Sequence, residues 1–132
     1  MNKFWGALAA VLLVPTSSFA KPTLSEAIEC RAEFSSIMTV VQAARIPRNI
    51  DVQEANFWVA ANDRFSSHFC GLGSEDLDGG GDLKSADAQD ELEATKDAKV
   101  KSYYKVLKDS GYDGLKEVAL KTTSGCNALF GL

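Results

Sequence analysis

Beyond residue 22, apolar residues recur three and four positions apart in every long segment, and nowhere do they alternate with polar ones as a half-buried strand requires. That period restricts the chain to helices packed on helices. In the first helix Cys30, Phe34, Ile37, Met38, Val41 and Ala44 fall on one stripe, after Thr23 and Glu26 at the spacing of a capping box. Pro47 disfavours helical backbone at the residue before it, so this helix is predicted to stop near Ile46. A second helix is predicted from Asp51, with Glu54 three residues on, and carries Ala55, Trp58, Val59, Asn62, Phe65 and Phe69 on one face. Cys70-Gly71 closes it, with Gly71 expected in the left-handed conformation.

A glycine- and aspartate-rich loop near 71–84 is the longest break in the pattern. The third helix is predicted from near Ser85, with acids in its first turns and Lys99, Lys101, Lys105 and Lys108 in its last, a distribution that suits the helix dipole. Ser110-Gly111 breaks it. A fourth, from about Asp113 to Leu129, aligns Leu115, Val118, Ala119, Thr122, Cys126 and Leu129. Short connections make successive helices antiparallel, so the expected fold is all-α, a small up-down four-helix bundle with one intramolecular disulfide.

The N-terminus reads as an export signal. Lys3 gives the positive start, Phe4 to Val14 the apolar stretch, and Ser18-Phe19-Ala20 the small-x-small cleavage site. Residues 1–20 are thus expected to be removed, leaving one helical domain over 21–132 in the periplasm or secreted, with no membrane attachment after cleavage. The antiparallel layout gathers Cys30, Cys70 and Cys126 at one end. All three pairings are then within reach; the favoured one is Cys30 with Cys70, and Cys30 with Cys126 is the alternative. The odd cysteine is either a buried thiol or a link to a second copy, which permits a homodimer.

Charge narrows the partners. The 21–132 segment holds 13 basic against 18 acidic residues, a net charge of −5. Between Glu75 and Asp97 nine acids face only Lys84 and Lys96. Such a stretch repels nucleic acid and anionic lipid, and suits a basic protein, a divalent cation or simple solubility. Catalytic constellations are thin: His68 is the one histidine, and there is no Cys-x-x-Cys, no Gly-x-Ser-x-Gly and no phosphate-binding glycine loop. The expectation is a protein that binds and does not catalyse, with no resident cofactor.

One local motif bears on metal. Laid on a twelve-residue calcium loop, Asp76 and Asp78 take positions 1 and 3, Gly81 the sharp turn at 6, Asp82 position 7 and Asp87 position 12. Gly80 at 5, Lys84 at 9 and the shorter aspartate at 12 depart from the pattern, so any calcium site here is expected to be weak. Phe57 lies off the main stripe of its helix and is the expected exposed aromatic. Asn62, on the apolar face, needs a polar partner on another helix if it is buried.

In layout the chain resembles the small periplasmic immunity proteins that neutralise cell-wall-degrading effectors of type VI secretion: a cleaved signal, a compact helical domain, bridged cysteines and no enzymatic residues. The resemblance is one of architecture and transfers no motif residues. It implies direct binding of an effector, here a basic enzyme, and often a dimer. Contacts are then expected at Phe57 and in the acidic loop at Glu75, Asp76 and Asp78. The other readings are a weak EF-hand-like calcium module and an acid-stress periplasmic chaperone.

Overall fold

The computed structural model describes residues 20–132, so the predicted signal peptide lies outside the described residues except for its last position. No strand is found among the described residues; the chain forms α1 (Leu24–Ala44), α2 (Val52–Cys70), a single 3-10 turn at Ser74–Asp76, and α3 (Ala86–Leu129). The start of α1 is the expected capping box: the Thr23 hydroxyl accepts from the Glu26 backbone N–H at 3.0 Å and Glu26 Oε1 accepts from the Thr23 N–H at 2.9 Å. Asp51 caps α2 by accepting from Gln53 N–H, and Ser85 caps α3 by accepting from Ala88 N–H. Glu54 does not complete a box with Asp51; its carboxylate is drawn sideways to α3.

Three helices are counted where four are expected, and the expected break at Gly111 is present within the third, where two helical arms meet at a kink. Its φ of 73° and ψ of −176° lie in a region open essentially to glycine alone, while helical geometry resumes on either side. The bend folds α3 back on itself. A straight helix would hold Tyr103 and Thr122 roughly 28 Å apart at 1.5 Å per residue, yet their hydroxyls lie 3.2 Å from each other. α3 therefore consists of two arms, 86–110 and 112–129, packed side by side.

α1 lies at the centre, packed against α3 and α2. Its burial is accordingly not confined to one stripe: Ala27, Ile28, Ala32, Phe34, Ile37, Val40 and Val41 are all inaccessible, and even Glu33, Ser35 and Ser36 are buried. Phe34 stacks on Phe65 of α2 with ring centroids 4.7 Å apart, and Phe130, just past α3, meets Phe65 edge-on.

The bridge joins Cys30 to Cys126, correcting the favoured pairing of Cys30 with Cys70. Helix phase is the reason. Phe69 takes the last buried position of α2, and Cys70, one residue on, is rotated by about 100° toward solvent. Cys126 faces the core from the returning arm of α3, where Cys30 meets it across a Cα separation of 5.6 Å. Gly71 also departs from expectation: at φ −89° and ψ −3° it continues right-handed instead of reversing.

The loop after α2 is packed. Leu77 and Leu83 are buried, Asp78 N–H donates to Pro22 O at 2.9 Å, and Gly81 N–H donates to Ser74 Oγ. Gly81 has φ 121°, a conformation that favours glycine, and a Cβ there would press on the Leu24 side chain at 3.0 Å.

Candidate functional site

Phe57 is half exposed on the outer face of α2, where its ring stands edge-on to Trp58 with centroids 4.9 Å apart. The two neighbours play opposite parts: Trp58 is 1 % exposed, and Phe57 50 %. Trp58 is fixed in turn, since its Nε1–H donates to Tyr112 Oη at 2.9 Å. The Tyr112 hydroxyl donates to Glu54 Oε1 at 2.7 Å, and Lys116 Nζ pairs with the same carboxylate at 3.0 Å. Beside this relay the exposed Leu120 of α3 completes a shallow cleft of about 370 Å³ lined by Gln53, Glu54, Phe57, Lys116 and Leu120.

Hydrogen bonds from Tyr112 and Lys116 hold the Glu54 carboxyl below the usual glutamate range, so it is ionised at neutral pH. Burial, followed by the bond to Glu54, pushes the Tyr112 hydroxyl well above the usual tyrosine range. The result is an apolar knob and an apolar patch flanked by a fixed ion pair. Such a surface is equipped for docking: aromatic anchors with a polar rim are the common composition of protein interfaces.

The other expected contact residues do not join it. Glu75 and Asp76 sit in the 3-10 turn and Asp78 in the loop beyond α2, whereas Phe57 is near the start of α2, roughly 20 Å away at 1.5 Å per residue. Nor are the four calcium-loop aspartates arranged as a ligand set. Asp76 Oδ2 accepts from Gly73 N–H, Asp82 Oδ1 accepts from Lys84 N–H, Asp78 engages through its backbone, and Asp87 lies in the first turn of α3. Among the described residues no three His, Cys, Asp or Glu side chains form a group that could hold a metal ion. His68 stands edge-on to Phe130 at 5.9 Å.

A buried polar cluster escaped the sequence reading. Glu33 of α1, 8 % exposed, accepts from Lys99 Nζ at 2.6 Å and from the Tyr103 hydroxyl, while Glu29 pairs with Lys99 from the outside at 2.8 Å. Tyr103 also meets Thr122, so the cluster ties α1 to both arms of α3. Glu29 and Glu33, one turn apart on α1, were the available signal, but nothing in a single helix reveals that it will be enclosed on several sides. Burial, then the bond to Glu33, drives the Tyr103 hydroxyl well above its ordinary value. For Lys99, burial alone would lower the pKa, and the bonds to Glu29 and Glu33 outweigh it to leave a net rise.

Tyr103, Tyr112 and Lys99 therefore hold their protons more tightly in the folded chain than in the unfolded one. Their contribution to stability is full below about pH 10, where the unfolded groups are protonated too, and is lost as pH rises further toward the folded values. Thermal melts of a Cys70→Ser protein, chosen so that no thiol exchanges with the bridge, should be flat from pH 8 to about 10 and fall steeply above. Tyr103→Phe should soften that fall; an unchanged alkaline limb would contradict the assignment.

No helix among the described residues is long and apolar enough to cross a membrane. No protein-family model, no curated protein and no solved structure matches this chain.

Proposed function

We propose that this chain is an exported, non-catalytic binding protein that neutralises a cell-wall-targeting effector by direct contact, as the periplasmic immunity proteins do. The two arms of α3 serve in this reading as the third and fourth members of an up-down four-helix bundle, and the face shared by α2 and α3 carries the contact. One observation bears most of the weight: Phe57 is half exposed with its ring edge-on to Trp58, which is itself buried and bonded to Tyr112. An exposed aromatic backed by a buried neighbour offers a large apolar area at a low entropic cost of two side-chain torsions. The Cys30–Cys126 bridge is compatible with an oxidising, exported location.

The acidic loop at Glu75, Asp76 and Asp78 serves as a second, peripheral contact that steers a basic partner, with more influence on association rate than on final affinity. Affinity capture from periplasmic extract, followed by inhibition assays on any cell-wall hydrolase retained, tests the proposal. Phe57→Ala should weaken binding by about 30-fold or more, as hot-spot aromatics do, and leave the melting temperature unchanged because the ring is half exposed. Equal retention and inhibition by Phe57→Ala would refute the assignment of the face.

A further inference from the structure

Arg31 is a half-buried guanidinium with one side-chain hydrogen bond. Its Nη1 donates to Asn62 Oδ1 at 2.9 Å, the partner that Asn62 needs, and no carboxylate among the described residues lies within 4 Å of it. Burial depresses its pKa, and Cys70 and Asp63 offset this only in part. One turn further along α1, Ser35 is 9 % exposed, and its hydroxyl makes no hydrogen bond among the described residues, whereas Ser36 beside it donates to the Glu33 carbonyl at 3.0 Å. Arg31 and Ser35 line a cleft of about 160 Å³ whose opposite wall is α3, at Leu92, Glu93 and Lys96. Lys96 too pairs with no carboxylate within 4 Å among the described residues.

We infer that this cleft is a receptor for the side-chain carboxylate of a partner protein's aspartate or glutamate. Residues carrying three donors, Arg31, Ser35 and Lys96, line one cleft, and neither cation pairs within 4 Å with Glu93, the carboxylate that also lines it. With Nη1 committed to Asn62, the remaining donors of the guanidinium form the planar fork that matches a carboxylate. Glu93 and the acidic stretch around it select among anions, because a doubly charged phosphate is repelled more strongly than a singly charged carboxylate. Leu92 offers an apolar wall for the methylene stem. The source of the carboxylate rests on the binding function proposed above, while the site itself is testable without any partner.

Titration of the isotope-labelled protein with N-acetylglutamic acid α-amide, followed by nuclear magnetic resonance, should give saturable shifts at the Ser35 and Lys96 amides and the Arg31 Nε–H. The glutamine analogue should give none. Ser35→Ala and Lys96→Met, which leave the Arg31–Asn62 bond intact, should each weaken binding by about tenfold. The site is overturned if the glutamine analogue shifts the same signals, or if neither variant changes the titration. Tighter binding of N-acetylalanine, whose sole carboxylate is terminal, would overturn the side-chain assignment. None of these results alters the Phe57 test, so the two readings fail separately.

Discussion

Replacing both bridging cysteines, Cys30→Ser with Cys126→Ser, should lower the unfolding free energy by about 4 to 5 kcal/mol, the chain-entropy value for closing a loop of about 100 residues. The two lie 96 positions apart. A domain of this size has about 5 to 15 kcal/mol in all, so the double variant should be poorly folded at 37 °C. Cys70→Ser, at an exposed position, should stay within about 0.5 kcal/mol of the parent. Urea denaturation of the three proteins gives the comparison. A large loss in Cys70→Ser, or none in the double variant, would mean that sulfur is bonded elsewhere. The bridge matters this much because it fastens the end of α3 to the first turns of α1, closing nearly the whole described chain into one ring.

What the residues declared in advance was whatever depends on close neighbours in sequence. Thr23 with Glu26 acts across three positions and forms the expected box, and the third helix starts next to Ser85 as expected, with Ser85 as its cap. The stripes of α1 and α2 likewise follow from the helical period, and Trp58, Phe65 and Phe34 are buried on them. Gly111 was legible as a break in the pattern, but a glycine states only that the backbone is free to depart. The helical geometry does lapse there, and which way the next arm then runs depends on what it packs against.

The disulfide was decided by rotation about the α2 axis, a quantity that stripes fix only to within a residue or so. Phe69 and Cys70 compete for one inward position, and the larger apolar surface prevails. The spacing of the loop aspartates fits a calcium loop only in part, which is why a weak site at most is expected there. Two of them, Asp76 and Asp82, accept from backbone N–H groups of their own turns, as short acidic side chains do in loops. Phe57 was visible as an aromatic off the stripe. Its mount was not, because Tyr112, Glu54 and Trp58 converge from segments more than fifty residues apart.

Glu33→Ala should cost about 3 kcal/mol, the lower end of the range for breaking a buried ion pair. The substitution removes the acceptor shared by Lys99 and Tyr103 and leaves both donors in the interior. Two survivors limit the damage: Lys99 keeps Glu29 at 2.8 Å, and Tyr103 keeps Thr122 at 3.2 Å. Removing both charges together should hurt less than removing one. Glu33→Met with Lys99→Met exchanges a desolvated pair for apolar volume, and is expected within about 1 kcal/mol of the parent, as such replacements commonly are. Denaturation of the single and double variants separates the cost of an unpaired charge from the worth of the pair; a double variant as unstable as the sum of its parts would assign the stability to the charges themselves. Glu33→Gln supplies an independent readout. With the carboxylate gone, the Tyr103 hydroxyl loses the second contribution to its upward shift, after burial, so its folded and unfolded values draw closer. The alkaline limb of the melting profile should then flatten, because less of the stability present below about pH 10 remains to be lost above it.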